Sequence, residues 1–195
     1  IFFCYPLVWC IFSSFKTNAQ ILSNAFSLPT KWDFSVYVYL LERYNFLTYT
    51  LNSIITSLGA TSVALIFYSL SAYVISKYDF PGKNLFFVLF TMTMLVPGHA
   101  RTQPIFSLIM NLNLYDTIGG LTLVYISGGL AITMFILRSS FMSIPNDLNE
   151  FANIEGASFL QTFFYVILPL AKGGLVTAGI LMFLSTWNEY YFGSL

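Results

Sequence analysis

The sequence carries few charged side chains for its length. Only 16 of its 195 residues are Asp, Glu, Lys or Arg, which is 8%, whereas an ordinary globular domain carries roughly 25%. A soluble chain of this size could not cover its surface with so few charges, so a soluble domain is excluded. The eight basic and eight acidic residues give no net charge. No basic surface is therefore expected to neutralise the phosphates of a nucleic acid.

Cysteine and histidine are also scarce. Cys4 and Cys10 lie in the first apolar run, and His99 is the single histidine. These residues form no metal-ligand spacing, no disulfide framework and no nucleophile–base arrangement. The sequence also lacks Gly-x-x-x-x-Gly-Lys-Ser/Thr, the loop whose backbone N–H groups hold phosphates. We therefore expect a chain that is not an enzyme, holds no metal or cofactor and does not bind ATP itself.

Long apolar runs take the place of charge, since 57% of the residues are hydrophobic. The longest charge-free run, Tyr44 to Ser76, has 33 residues, and a helix needs only about 20 to cross a bilayer. Runs of this length without two-residue alternation predict helices rather than strands. We expect an all-α, polytopic membrane protein with about five transmembrane helices. They are predicted at residues 1–16 (a partial helix), 49–76, 84–100, 117–137 and 169–192.

The first run and the polar stretch after it bear on the topology. Neither Met nor a basic segment precedes the run, so a signal peptide is not indicated and the chain is expected to begin within a longer protein. Residues 17–48 are predicted to form a loop with short interfacial pieces. Four Lys or Arg fall on each side of a five-span arrangement, so the positive-inside rule leaves the orientation open.

A polar segment at residues 143–170 predicts a short helix outside the lipid. Pro145 suits a helix start, and Asp147 and Glu150 are spaced as in a capping box at the positive end of a helix. Apolar residues at helical spacing should then share one face, with Asn149, Glu150 and Asn153 elsewhere. The predicted apolar face consists of Leu148, Phe151 and Ala152.

A bend and a second helix should follow the first. Gly156 can adopt the left-handed conformation that ends a helix. Ser158 and Gln161 form a second capping-box pattern at the start of a helix that runs into Pro169. No Lys or Arg occurs from Ser139 to Ala171. An amphipathic hairpin that rests on lipid headgroups usually has a basic polar face, so this acidic segment favours docking onto a protein, with the lipid surface as the alternative.

The spacing in this segment resembles the EAA loop of ABC importer permeases. That pattern is Glu-Ala-Ala, three residues, Gly, nine residues, Ile, any residue and Leu-Pro. The matching residues in this sequence are Glu150, Phe151, Ala152, Gly156, Val166, Leu168 and Pro169, with Ala157 next to the glycine. Phe151 stands where the family has Ala, and Val166 stands where it has Ile.

Other short segments extend the resemblance over essentially the whole chain. They are Ser14-Phe15-Lys16-Thr17, Leu51-Asn52-Ser53, Phe80-Pro81-Gly82-Lys83, Val96-Pro97-Gly98, Arg138 through Ile144-Pro145, and Thr186-Trp187-Asn188-Glu189. Together they are similar to the MalG-type permeases of carbohydrate ABC importers. Such permeases usually have six spans, so the resemblance implies that residues 49–195 form a permease domain without its last helix and that the extreme N-terminus is missing.

The resemblance implies a transport function in the cell membrane of a prokaryote. The chain would form half of the pathway for a sugar or oligosaccharide beside a second permease subunit. An extracytoplasmic binding protein would deliver the solute. A separate ATPase dimer would bind the ATP and receive the EAA loop at about 143–169. Lys77, Lys83 and Arg138 would then lie inside the cell, and residues 17–48 outside.

Two groups of residues are candidates for the solute pathway. Trp187, Asn188 and Glu189 fall toward the outer half of the last predicted span, where an ionisable group is by default functional. His99 and Arg101 follow Pro97-Gly98, which interrupts a helical region as in helices that line a cavity. The alternatives are an interfacial Trp anchor and a helix end exposed to water.

Other functions compatible with the architecture remain as alternatives. The same importer could carry glycerol phosphate or a polyamine, although Arg101 is the one basic candidate for an anionic solute. A secondary carrier would be expected to show paired intramembrane acids or an inverted repeat, and neither is visible. A membrane-embedded enzyme would need a catalytic set that the sequence lacks.

Overall fold

The computed structural model describes residues 4–194, and all the regular elements in that range are helices. The α-helices are α1 (Tyr5–Ser13), α2 (Asn18–Ser23), α3 (Ser35–Arg43), α4 (Phe46–Lys77), α5 (Lys83–Met92), α6 (Thr102–Asn111), α7 (Ile118–Gly128), α8 (Leu130–Met142), α9 (Asp147–Ile154), α10 (Phe159–Gln161), α11 (Leu168–Leu170) and α12 (Lys172–Trp187). Short 3₁₀ turns lie at Thr93–Leu95, Gly98–Arg101 and Phe192–Ser194, and Thr162–Ile167 is π-helical. The all-α prediction is confirmed.

The contacts divide the chain into two units, one up to Thr50 and one from Leu51 onward. In the N-terminal unit the Lys16 side chain is buried, and its Nζ donates to the carbonyls of Asn24 and Ala25 at 3.4 and 3.1 Å. A capping box between Thr17 and Gln20 starts α2. The stretch predicted as a loop with short interfacial pieces thus contains two short helices, α2 and α3.

Helix α4 is the one continuous helix among the described residues that is long and apolar enough to cross a membrane. Its buried face is rich in small side chains, including Ala60, Ala64 and Ala72. Small residues allow helix backbones to approach closely where lipid provides no hydrophobic driving force. The helix is 32 residues long and extends slightly beyond the predicted 49–76.

The other predicted spans are bent pairs of helices rather than straight helices. Three pairs are each, taken together, long and apolar enough to cross a membrane: Lys83–Leu95 with Gly98–Asn111, Ile118–Gly128 with Leu130–Met142, and Phe159–Leu170 with Lys172–Ser194. Their bends are 106°, 52° and 82°. If each pair is one span, the described residues contain up to four.

The predicted continuous span at 84–100 is therefore wrong from Val96 onward. The helical run from Lys83 ends at Leu95, and the chain then turns by 106°. Val96 is extended (φ −86°, ψ 117°) because the ring of Pro97 disfavours helical geometry in the residue before it. The break that the sequence predicted at Pro97-Gly98 is confirmed.

The last two predicted spans also needed correction. The run at 117–137 bends at Gly128-Gly129, and α8 continues past Arg138 to Met142. The run at 169–192 is interrupted at Ala171, and α12 ends at Trp187. Pro169 lies two residues before the interruption at Ala171, and it supplies no backbone N–H to the preceding turn.

Two glycines set how closely α8 and α12 pack. A Cβ on Gly129 would lie 2.9 Å from Sδ of Met182, and a Cβ on Gly174 would lie 1.9 Å from Oγ of Ser140. A larger residue at Gly174 would also clash with Cβ of Ser140 at 2.5 Å, so the helices would have to shift, whereas at Gly129 the flexible Met182 side chain could move instead. The neighbouring Gly128 and Gly173 have open space instead. In each of these two Gly-Gly pairs, one glycine is therefore in tight contact and the other is not.

Candidate functional site

The segment predicted to dock onto a protein forms a helix, a bend and a second helical arm. We call residues 143–169 the coupling loop, α9 its first arm, and residues 159–169 its second arm. The helix α9 begins at Asp147 with Asn146 as its N-cap, and no side chain caps it. The predicted start at Pro145 and the capping box of Asp147 with Glu150 are therefore wrong. Both acids nevertheless lie in the first turn, where the helix dipole favours them.

The bend after α9 is built from backbone hydrogen bonds. Gly156 has φ +83°, the left-handed conformation that the sequence predicted. The N–H of Gly156 donates to the carbonyl of Asn153 at 3.1 Å, and that of Ala157 donates to the carbonyl of Ala152 at 2.9 Å. These two bonds are the Schellman arrangement that satisfies the last carbonyls of a helix.

The second arm begins as predicted. The Ser158 N–H donates to Oε1 of Gln161 at 2.8 Å, and the Gln161 N–H donates to Oγ of Ser158 at 3.4 Å. The arm then continues through the π-helical segment to α11, which contains Leu168 and Pro169. The buried side chains of the π segment are Thr162, Phe163 and Ile167.

The faces of α9 differ from the prediction. Asn149 and Ala152 are buried, with exposures of only 6%. Phe151 is 62% exposed and Ile154 is 82% exposed, and Leu148 is also exposed. The predicted apolar face of Leu148, Phe151 and Ala152 is wrong, because the polar Asn149 shares the inner side with Ala152. The side-chain oxygen of Asn149 accepts a hydrogen bond from Tyr73 on that side, and this bond compensates for its burial.

The partners of the coupling loop within the chain lie at the end of α4. The hydroxyl of Tyr73 donates to Oδ1 of Asn149 at 2.5 Å. Nζ of Lys77 donates to the carbonyl of Ile144, and to Oδ1 of Asn146 at 2.9 Å. The carboxylates of the loop, by contrast, have no hydrogen bond or ion pair in the described part of the chain, and these are Asp147, Glu150 and Glu155.

A second polar region is a cavity of about 190 Å³ that contains two of the predicted pathway residues, Arg101 and Glu189. The hydroxyl of Tyr125 donates to Oε2 of Glu189 at 3.1 Å. The N–H of Phe192 donates to Oε1 of the same carboxylate at 3.0 Å. Nε of Arg101 is buried and has no hydrogen-bond partner among residues 4–194. The other lining residues are Ile105, Val124, Ser127, Gly128, Gly129, Met182, Ser185, Thr186 and Phe192.

The remaining predicted pathway residues lie outside this lining. Asn188 caps α12, with Nδ2 donating to the carbonyl of Leu184 at 2.7 Å. Trp187 stacks on Phe183 with ring centroids 5.7 Å apart. His99 is exposed and meets the ring of Tyr191 edge-on at 5.3 Å. The structure thus brings Arg101 and Glu189 to one cavity, while the other three serve local contacts at helix ends.

Residues 69–195 match the model of a family described as the binding-protein-dependent transport system inner membrane component. The chain belongs to this family. The sequence-based recognition of an ABC importer permease is therefore confirmed, as is the expectation of a multi-pass protein in a prokaryotic cell membrane. The family is one of transport components.

Individual relatives of this permease cover nearly all of it. A diacetylchitobiose uptake system permease protein of Streptomyces coelicolor is 36% identical over 185 residues, which is 95% of this chain and 61% of that protein. A trehalose transport system permease protein of Mycobacterium tuberculosis is 32% identical over 184 residues, 94% of this chain and 67% of that protein. The chain spans about three fifths of the length of the first of these relatives.

Other relatives have names that refer to different solutes. An sn-glycerol-3-phosphate transport system permease protein of Yersinia pestis is 37% identical over 140 residues, 72% of this chain and 49% of that protein. The crystal structure of a bacterial ABC transporter that imports the acidic polysaccharide alginate contains a chain with a TM-score of 0.84 and 30% identity. That likeness covers 97% of this permease and 66% of the other chain.

Four residues with contacts at these two regions were not predicted to be functional: Tyr73, Lys77, Tyr125 and Asn149. The two tyrosines do carry a signal that could have identified them. A hydroxyl within a long apolar run must find a partner, since lipid offers none. The partners themselves, 64 and 76 positions away in the sequence, could not be read from it.

Proposed function

We propose that the chain is a permease subunit of an ATP-driven importer and forms half of the transmembrane pathway for a sugar or oligosaccharide. The coupling loop would attach the permease to a separate ATPase. The observation that supports this most directly is the outward surface of α9, where Leu148, Phe151 and Ile154 are exposed beside carboxylates that have no partner in residues 4–194. An apolar stripe edged by free acids suits an apolar cleft with a basic rim on a second protein.

The assembly follows from this proposal. A second permease subunit would complete the pathway, and an extracytoplasmic binding protein would deliver the solute. ATP would be bound by the ATPase dimer, with no cofactor held by this chain. The coupling loop would lie in the cytoplasm together with Lys77, Lys83 and Arg138, and residues 17–48 would lie outside. The chain would supply five of the six spans that such permeases usually have, the first of them at residues 1–16.

Docking through the coupling loop assigns a role to each of its matching residues. Glu150 would pair with a basic group of the ATPase, and Phe151 would enter its cleft. Gly156 and Ala157 would set the bend between the arms. Ala152, Leu168 and Pro169 would hold the loop to the helices behind it. Buried anchors at the centre of an interface contribute most of its binding energy, so Phe151 is expected to matter most.

The cavity at Arg101 is the region where we expect the solute to pass. Its lining combines an aromatic ring with hydroxyl groups of Ser127 and Ser185, which suit the faces and hydroxyls of a sugar. The names of the relatives from Streptomyces and Mycobacterium point to saccharides in those systems. Trp187, Asn188 and His99 would contribute only if the pathway extends to the helix ends.

A second candidate is an importer of the same kind for an anionic solute. It is favoured by the buried Nε of Arg101, which has no partner among the described residues. Guanidinium groups bind carboxylates and phosphates through paired hydrogen bonds. Arg101→Gln distinguishes the two candidates when uptake is measured with the solute of the cognate binding protein. A loss of about tenfold would indicate an anionic solute, whereas an unchanged rate would indicate a neutral sugar.

The central test is co-purification of the full-length protein from its native membrane in mild detergent, with the attached chains identified by mass spectrometry. We expect an ATPase and a second permease with the wild-type protein. Phe151→Asp should release the ATPase because it places a charge in an apolar contact. Phe26→Asp is the matched control, since Phe26 is 76% exposed and lies in residues 17–48, outside the predicted spans and away from the coupling loop. Isolation of the wild-type chain without any ATPase would refute the proposal.

A further inference from the structure

Tyr73 occupies an unusual position between α4 and the coupling loop. Its side chain has no exposed surface, and its hydroxyl is 2.5 Å from Oδ1 of Asn149 and 3.2 Å from the hydroxyl of Tyr78. Its ring lies 5.3 Å from that of Phe159 and 5.2 Å from that of Phe163. Asn149 is in the first arm of the loop, and the two phenylalanines are in the second. One side chain of α4 therefore contacts both arms.

A second contact from α4 lies one helical turn beyond Tyr73. Nζ of Lys77 donates to the carbonyl of Ile144 and to Oδ1 of Asn146, the residues that lead into α9. Tyr73 and Lys77 are four positions apart and so share one face of α4. The end of α4 is thus joined to the loop before, within and after α9.

The contact at Asn149 is important for α9 because little else holds that helix inward. Its buried residues are Asn149 and Ala152, and its large apolar side chains point outward. Moving α9 away from α4 would break the hydrogen bond between the Tyr73 hydroxyl and the amide oxygen of Asn149. A polar group left unpaired in a buried site costs far more than the bond itself contributes, so the two helices resist separation.

We propose that Tyr73 is a positioning residue that makes α4 and the coupling loop move as one body. When an ATPase displaces α9, the Tyr73–Asn149 hydrogen bond and the rings of Phe159 and Phe163 would carry that displacement to α4. This inference rests on the proposed function, since it takes docking on α9 as the source of the motion. It adds the route by which the motion enters the membrane-spanning helix.

The test uses the complete transporter, reconstituted in lipid vesicles, with two tyrosine variants. Tyr73→Phe removes the hydroxyl and keeps the ring. Tyr68→Phe is the matched control, because Tyr68 lies on the same helix and its hydroxyl donates to the carbonyl of Ile126, which is outside the loop. The measured quantities are bound ATPase, ATP hydrolysis and solute transported per ATP.

We expect Tyr73→Phe to keep its ATPase and to transport about five- to tenfold less solute per ATP, the size of effect that loss of one buried hydrogen bond produces. Tyr68→Phe should keep the wild-type ratio. If Tyr73 had a purely structural role, Tyr73→Phe would lower the yield of assembled complex, but each assembled complex would transport the wild-type amount of solute per ATP. An equal ratio in the two variants would overturn the proposal.

A double variant separates the hydrogen bond from the cost of an unpaired amide. Tyr73→Phe with Asn149→Leu replaces both polar partners by apolar groups, so thermal stability should return toward that of the wild-type protein. The transport ratio should stay low, because the directional link is still absent. Recovery of the ratio together with stability would contradict the proposed link. These outcomes differ from failure of the proposed function, in which the wild-type protein itself would bind no ATPase.

Discussion

The coupling loop and the cavity at Arg101 use their charged groups in opposite ways. On the loop, Glu150 and its neighbouring acids have no partner among residues 4–194. In the cavity, the carboxylate of Glu189 already accepts bonds from Tyr125 and Phe192, while Nε of Arg101 has none. The acids of the loop are therefore free to meet a second chain. In the cavity, the acid holds the end of α12 in place, and under the proposed function the cation is the group that would meet a solute.

The largest effect is expected at the bend of the coupling loop. Gly156→Asp and Gly156→Asn have nearly the same shape, and both residues tolerate φ +83° better than other side chains do. A Cβ there meets no atom within 4 Å, and the strain of the left-handed backbone is similar for the two side chains, so the comparison between them isolates the charge. If the bend at Gly156 lies in a desolvated contact with another protein, Asp should reduce ATPase attachment and uptake at least tenfold more than Asn does, because burying a carboxylate costs more than burying an amide. Equal co-purification of the ATPase with both variants would show that the surface at Gly156 is not in the interface.

The second prediction concerns Glu189 in the cavity at Arg101. Glu189→Gln keeps an oxygen that can accept from Tyr125, whereas Glu189→Ala leaves the buried hydroxyl of Tyr125 unpaired. If Glu189 acts mainly by holding α12, Ala should lower stability by about 1–3 kcal/mol and Gln by less. Thermal unfolding and uptake are the measurements. A tenfold loss of uptake in Gln with unchanged stability would instead identify the charge as a solute contact.

Helix packing behind both regions is expected to show a smaller effect. Gly174→Ala places a methyl group 1.9 Å from Oγ of Ser140, while Gly173→Ala places one in open space. Overpacking of this kind costs about 1–3 kcal/mol, so the midpoint of thermal unfolding in detergent should fall for Gly174→Ala. Gly173→Ala should stay close to the wild-type value. Loss of ATPase attachment by Gly174→Ala at temperatures below its unfolding would mean that the loop depends on this contact.

The smallest effect concerns an acid that is paired, unlike those of the coupling loop. Lys83 lies 2.8 Å from Asp79, and its hydrogen bond and charge lower the pKa of that carboxyl from its ordinary value of 3.8. Lys83→Met should raise the pKa of Asp79 toward that value in a titration followed by NMR. The pKa of Asp79 is lower in the folded protein than in the unfolded chain, so its ionised form favours folding at pH values above its ordinary pKa. This contribution to the free energy of unfolding is lost as the pH falls through the folded-state pKa. Because Asp79 is fully exposed, the stability of the protein should barely change with pH from this source.

Local sequence signals predicted the local structure of the coupling loop well. The left-handed Gly156 and the Ser158–Gln161 capping box both depend on residues a few positions apart, and both are present. The start of α9 was predicted two residues early, because the N-cap is Asn146 without a side-chain bond. The inner face was predicted wrongly because the partner of Asn149 is Tyr73, which is distant in sequence. An amphipathic pattern treats a polar residue as solvent-facing and cannot anticipate such a partner.

The transmembrane prediction was limited for a similar reason. Composition located the apolar runs, because a helix needs about 20 consecutive, mostly apolar residues to cross a bilayer. The bend at Pro97 could be predicted from the restriction that proline places on the residue before it. The bend between α7 and α8 could not be, because the close approach of Met182 of α12 to Gly129 at this bend is a tertiary contact between residues distant in sequence. The meeting of Arg101 with Glu189 in one cavity is likewise a product of tertiary packing.

The geometry of the bend at Gly156 has a consequence for how such a loop can evolve. The two hydrogen bonds that close the bend come from the main chain, and no side chain packs where a Cβ of Gly156 would lie. The angle between the arms is therefore independent of the side chains on the outer surface of α9. Under the proposed function, those side chains would be free to diverge to match different ATPases while the bend keeps its shape. Exchange of the exposed residues Leu148, Glu150, Phe151 and Ile154 between permeases would then transfer partner choice and leave the buried Asn149 and Ala152 in place.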